Sequence, residues 1–232
     1  MQQFYLFKFC FLLLICIQPV SGQTTKEASV YSWFDQVVGR SNTGIFNAVE
    51  YVEKHRTINE HHKFFLSEAF LPGSIVYEDQ PYFELEMKYN VFDDLLQVKV
   101  PNRGNTAIFQ LLPEKVEQFN IAGRSFMNLR QQGGFHENIF ETEGLVLFVK
   151  HRRSLKKVQD KQFVYYEFHE EKRDYLLKYK DAYHQIDSRG DIIDLFPEEK
   201  KSIRSFYSSR RSLRKSDPDL FFQQLFQLLS QA

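Results

Sequence analysis

The side chains best able to do chemistry in this sequence are seven histidines, His55, His61, His62, His136, His151, His169 and His184, spread over loops and charged stretches. The adjacent imidazoles of His61 and His62 would hold a metal if a carboxylate approached them in space. The His-Glu pairs at His136-Glu137 and His169-Glu170 lack the second histidine, four residues on, that would put two ligands on one helical face. Solvated loop histidines are therefore expected. The acid pairs Asp93-Asp94 and Glu170-Glu171 fall in turn-like segments, where carboxylates are ordinarily hydrated. Gly133-Gly134 is no phosphate-cradling loop, and Gly123-Arg124-Ser125 runs on into Phe126-Met127 without forming a nucleophile elbow. The sequence assigns no catalytic, cofactor-binding or metal-binding residue. An enzyme would need histidine and acid side chains converging in a cleft.

Two basic clusters could meet phosphates or other anions: Lys150, Arg152, Arg153, Lys156 and Lys157, then Lys200, Lys201, Arg204, Arg210, Arg211, Arg214 and Lys215. Acids close by in sequence balance both, so the expectation is a solvated face or weak attraction to acidic glycans or lipid headgroups. Arg189-Gly190-Asp191 spells a cell-adhesion tripeptide, with chance as the favoured reading.

These residues must be positioned by strands. In PYFELEMKYN, Phe83, Leu85, Met87 and Tyr89 alternate with Glu84, Glu86 and Lys88, the period of two of a half-buried antiparallel strand. Upstream, GSIVYEDQPYF reads as strand, turn at Glu78-Asp79-Gln80-Pro81, and strand. Downstream, a turn over Asn90–Asp94 leads to Leu96, Val98 and Val100, and Pro101–Asn105 turns the chain into Ile108–Leu112. Further strands are expected at Val116–Ile121, Ser125–Leu129 and LVLFVK, the last within Phe140–Lys150. FVYYEF (Phe163–Phe168) and YLLKY (Tyr175–Tyr179) read as a hairpin, with a short strand after it through Ala182–Ile186. Between residues 44 and 70, two short strands flank the polar stretch EKHRTINEHHK. Beyond Gly190 the spacing turns helical through Ile203, Phe206, Tyr207 and Leu213. Asp217-Pro218 then supplies an N-cap and a first-turn proline for DLFFQQLFQLLSQA. Its wide apolar surface is expected to cover the sheet that carries Leu85 and Met87.

Residues 1–22 divide like a secretory signal: Lys8 in a short basic start, the apolar run Phe9–Ile17, then Pro19 and the small residues before Gln23. Nine apolar residues fall short of the ~20 needed to span a bilayer. Both cysteines, Cys10 and Cys16, lie within this leader, so the processed chain would carry no disulfide and no thiolate metal site. Thirty basic groups stand against 30 acidic ones, and loss of Lys8 leaves 29 against 30, which gives no overall pull toward nucleic acid. The 24 Phe and 12 Tyr favour strands and large buried surfaces.

The segments GSIVYEDQPYFELEMKYNVFDDLLQVKV, KVEQFNIAGRSFMNL, LFVKHRR, FVYYEF, YLLKYKDAYHQI and DLFPEEKKSIRSFY, in this order, resemble an uncharacterised family of exported proteins from Bacteroidetes-type bacteria. The marks are the Gly-Ser-x-x-Tyr strand at Gly73–Tyr77, Tyr89-Asn90, and Phe196-Pro197; Asn47-Ala48 departs from the Asn-Gly that members often show. The resemblance implies a cell-envelope setting, periplasmic, outer-membrane-associated or extracellular, and carries no catalytic residues.

The expected fold is α+β and mostly antiparallel β: a curled or barrel-like meander closed by two C-terminal helices. Residues 1–22 form the signal, 23–43 an extended lead-in, 44–190 the β-rich region, and 191–232 a helical region packed on the sheet within the same domain. The leading functional expectation is a non-catalytic envelope domain that binds a protein or glycan partner, without cofactor, nucleic acid or transmembrane segment; peripheral membrane contact stays open. A carrier of lipid or another apolar ligand is the alternative, and a hydrolase the third. A continuous apolar cavity would favour the carrier, and a filled core the binding module.

Overall fold

Alternation of apolar and charged side chains builds the centre of the molecule, in β2 (Leu71–Tyr77), β3 (Gln80–Asn90) and β4 (Leu95–Asn102). The computed structural model describes residues 49–51, 53, 55, 57, 60–102, 105–160, 162–170 and 173–231. The signal segment 1–22 and the lead-in 23–43 lie outside the described residues. Leu85, Met87 and Tyr89 are buried and Glu84 and Glu86 exposed, as the alternation predicts. Phe83 departs from it. Gly73 pairs with Leu85 but Ile75 with Tyr82, a β-bulge that places Tyr82 rather than Phe83 in the core. Glu84 takes a left-handed φ of 53° there. Gly73 has no room for a side chain, because a Cβ would collide with the Asn120 carbonyl and the Met87 sulfur. The two-residue turn Glu78-Asp79 has positive φ at both positions, 52° and 62°, as the tightest hairpins require.

The meander continues through β5 (Asn105–Gln110), β6 (Val116–Ile121), β7 (Arg124–Leu129), β8 (Gly134–Thr142) and β9 (Leu145–Lys150). With β1 (Val49–Glu50), β12 (Asp174–Tyr179) and β13 (Ala182–Ile186) they form one antiparallel sheet of order β1-β5-β4-β3-β2-β6-β7-β8-β9-β12-β13. The sheet is open, with β1 and β13 as its edges, so the curled or barrel-like closure expected from the sequence is not supported. Phe64 makes only a single bridge to Asn90, where a second short strand was expected.

The hairpin reading of FVYYEF and YLLKY is also corrected. FVYYEF lies in β11 (Phe163–Glu170), which pairs in a separate two-stranded sheet with β10 (Arg153–Asp160). β12, which holds YLLKY, pairs with β9 and β13. The run RSLKKVQD of β10 hides its strand character under polar residues.

Four helices follow in place of two: α1 (Arg189–Leu195), α2 (Lys200–Ser209), α3 (Arg211–Ser216) and α4 (Pro218–Leu229). Asp217 caps α4 by accepting from the Leu220 N–H at 3.0 Å, as its type and position predict. Phe221, Leu225, Phe226 and Leu229 are buried, whereas Leu220 and Leu228 are exposed. This face covers Leu145, Leu147, Val149, Tyr175, Leu177 and Ile186 of β9, β12 and β13. The strands that carry Leu85 and Met87 belong to a different core, so the expected partner of α4 is corrected. That first core is built from strands β2–β8 and their rings: Tyr89 meets Phe119, Phe126 and Phe135 at 5.3–6.0 Å between centroids, and Phe119 stacks on Phe126 at 4.6 Å.

Candidate functional site

Strand β8 contributes to both cores and its neighbour β9 to the second, and polar groups collect on this pair where the cores meet. Glu137 pairs with Val149 across the ladder, so His151, two residues further on, comes to the same side as Glu137. The Glu137 carboxylate is almost wholly buried, at 3% exposure, and binds Arg124 Nε at 2.5 Å and His151 Nε2 at 2.6 Å. An ionised carboxylate only accepts, so His151 donates from Nε2, and in the neutral imidazole that tautomer makes Nδ1 the acceptor. Phe65 packs its ring against His151 at 5.0 Å.

Behind this lies a second buried charge pair. Lys150 Nζ donates to Asp94 Oδ2 at 2.6 Å and to the Gly133 carbonyl at 3.0 Å. Asp94 also accepts from the Tyr89 hydroxyl at 2.6 Å and the Phe135 N–H at 3.2 Å, which pins the β3–β4 turn to the start of β8. Burial pushes the Tyr89 phenol well up and the Asp94 charge adds to it. Burial pulls Lys150 down, with Asp94 opposing. Gly134 sits so close to the Asp94 carboxylate that a Cβ would collide with it, and its φ of 96° suits glycine alone. His136, buried beside them, meets the Gly134 carbonyl through Nδ1 at 2.9 Å.

His151 opens on a cleft of about 220 Å³ whose rim is cationic: Arg124 from β7, Arg152 after β9, Arg153 from β10 and Arg173 before β12, with Glu170 at the lip. Each arginine is held by the fold. Arg152 Nε binds Asp174 at 2.6 Å; Arg153 donates to the His62 and Phe168 carbonyls at 2.6 and 3.4 Å; Arg173 pairs with Asp219. Asp219 also accepts from Tyr175, which ties α4 to β12. A guanidinium has five N–H donors, so Nε-bound Arg124 and Arg152 keep terminal donors for a ligand.

The structure thus corrects several expectations. His136 and His151 are not solvated loop groups but lie at the junction of the cores. Asp94 is no merely hydrated turn acid, and Lys150 belongs to a buried pair rather than a solvated face. Arg152 and Arg153 line the cleft, while Lys156 and Lys157 stay exposed on β10. The ring of His61 lies tilted against that of His169, 4.6 Å between centroids, and His62 Nδ1 accepts from the Phe64 N–H at 3.2 Å. Among the described residues no group of three His, Cys, Asp or Glu side chains is placed to hold a metal. Arg189-Gly190-Asp191 opens α1, and the Asp191 carboxylate is taken up by the Ser188 and Asp187 N–H groups at 2.7 and 2.9 Å. Glu171 lies outside the described residues. The Glu137–His151 pair and the contributions of Arg124 and Arg173 were not visible as motifs, since only strand pairing joins them.

Among the described residues no helix is long and apolar enough to cross a membrane. No family model, curated protein or solved structure matches the chain.

Proposed function

We propose that this chain is an exported domain of the cell envelope that binds an acidic group of its partner in the arginine-lined cleft. The observation that carries this is the convergence of four guanidiniums from three separate parts of the chain, Arg124, Arg152-Arg153 and Arg173, on one concavity. Arginine forks match carboxylates and other planar anions in two-pronged contacts. The filled aromatic core of strands β2–β8 speaks against a carrier of apolar ligands, because the protein's own rings occupy the face such a ligand would need. The leader at residues 1–22 and the resemblance to exported envelope proteins supply the setting.

Titration calorimetry of the secreted protein with glucuronate and with uncharged glucose tests the reading. Glucuronate should bind, weaken as salt rises, and lose about tenfold in affinity in Arg152→Gln, whose own surface pair with Asp174 contributes little to folding. Equal binding of the two sugars would refute it.

One observation favours a second reading. Glu137 orients His151, which lines the cleft, as a carboxylate orients a general base for water, so a hydrolase acting on an acidic substrate would use the same residues. Turnover that vanishes in His151→Gln while binding persists would establish that reading.

A further inference from the structure

Beside the first cleft lies a second, of about 420 Å³, and the two share Glu170 and Arg173 in their walls. The second cleft adds Arg189, at the start of α1, and Arg214 of α3. Both guanidiniums lie over the ring of Tyr207 in α2, at 5.9 and 5.3 Å from its centroid. Among the described residues neither enters an ion pair, unlike the four arginines of the first cleft. Both are exposed, and their planes are held by the ring, which lowers the entropy lost when an anion docks. Tyr207 itself is buried, and burial pushes its phenol up to about 12, so it stays neutral between its two cations. Half-buried Phe222, whose ring lies 4.3 Å from that of Tyr175, adds an apolar wall.

We propose that the two adjoining clefts form one groove for a linear polysaccharide of uronic acids, with carboxylates spaced along the chain meeting successive arginines. This rests on the acidic-group reading of the first cleft and extends it. Alone, the first cleft is smaller than the roughly 300–1,000 Å³ of an ordinary small-ligand pocket, whereas the pair reaches that range. The cationic forks share the groove with the rings of Tyr175, Tyr207 and Phe222 and with Pro218, which suits a chain of sugar rings that bears charge at intervals. A continuous polyphosphate would gain most from a strongly positive molecule, and this one has equal numbers of acidic and basic residues. Glu170, at the junction of the clefts and mostly exposed, would repel each passing carboxylate and so limits affinity.

The test uses the secreted protein and calorimetry with a monosaccharide, a tetrasaccharide and an octasaccharide of one uronic acid. Comparison probes are a neutral oligosaccharide, polyphosphate, a single-stranded DNA oligomer and anionic vesicles. Affinity should rise with uronate length. Arg189→Gln together with Arg214→Gln should weaken the octasaccharide about tenfold or more, about 1.4 kcal/mol, and leave the monosaccharide unchanged, since both guanidiniums line only the second cleft. Both changes are at exposed positions, and thermal melts would verify that the fold is intact. Glu170→Gln should tighten the octasaccharide. An octasaccharide that binds no tighter than the monosaccharide, or binds the double variant normally, would overturn the groove and leave the single cleft standing. Failure of every uronate to bind would remove the cleft reading itself. Tighter binding of polyphosphate, DNA or vesicles than of the octasaccharide would overturn the assignment to a polysaccharide.

Discussion

The two halves of the sheet bury their apolar faces in different ways. Strands β2–β8 pack ring against ring, with Tyr82, Tyr89, Phe119, Phe126 and Phe135 filling the space between them. Strands β9, β12 and β13 bring only Tyr175 and Tyr179 as rings to their core and rely on the helices, chiefly Phe221, Leu225, Phe226 and Leu229 of α4. The first half is thus closed by its own strands, while the second depends on helices that follow all of the strands. Polar chemistry is concentrated where the two solutions meet, on β8 and β9. There paired charges are buried beside the edge of the ring-filled core, with Phe65 and Phe126 against His151. Buried pairs are weak contributors to stability but costly to break on one side, so this junction is where function and folding constrain each other most.

If the second half depends on α4, its removal should have the largest effect. Four fully buried side chains at about 1.5–3 kcal/mol each amount to roughly 6–12 kcal/mol, against a typical total of about 5–15 kcal/mol. The Asp219 link to Tyr175 would go with them. Truncation after Lys215 should therefore give an aggregating or unfolded product by size-exclusion chromatography and circular dichroism. A monomeric truncate melting at the full-length temperature would break the comparison, by showing that β9, β12 and β13 do not need the helix.

A smaller disturbance probes the ring-filled half. Leu85→Asp or Met87→Asp puts an unpaired charge among the rings and should cost more than about 4 kcal/mol in denaturant unfolding. Glu84→Lys, on an exposed bulge residue, should stay within about 0.5 kcal/mol. Similar losses from both kinds of change would mean that the strand faces are assigned wrongly.

The same contrast explains what could be read from sequence. The ring-filled half announces itself through local alternation: Leu85, Met87 and Tyr89, the turn at Glu78-Asp79, and the strands around Phe119 and Phe126. The bulge at Glu84 was hidden, because exchanging Tyr82 for Phe83 leaves the apolar composition unchanged. In the helix-covered half, the Asp217-Pro218 cap and LVLFVK were legible as elements, but their partners were not. A strand's neighbour is set by long-range ladders, and β12 finds β9 across the intervening β10–β11 hairpin. β10 itself was lost among Arg153, Lys156 and Lys157, read as a charge cluster. The cleft was the least legible part. Arg124 and Arg173 are distant in sequence, and Glu137 and His151 meet only through the β8–β9 register.

The smallest effect is expected at the junction itself, at His136. Burial holds its imidazole below the ordinary 6.5; Lys150 and Arg152 push the same way, and the Gly134 carbonyl and Asp94 push back. As pH falls through 6.5 the unfolded chain takes up a proton at this residue before the folded chain does. Stability is therefore lost as pH drops below 6.5, and the loss levels off once the folded imidazole also titrates. One such site contributes at most about 1.4 kcal/mol per pH unit. His62, likewise held down by burial, adds a loss of the same sign, so the measurement is a difference between proteins. His136→Asn keeps a donor for the Gly134 carbonyl and removes the titration. Denaturant unfolding from neutral pH to about pH 5 should show a shallower loss for His136→Asn than for the parent. Parallel profiles would mean that His136 accepts its proton as readily folded as unfolded, and that the junction of the two cores is open to water at that point.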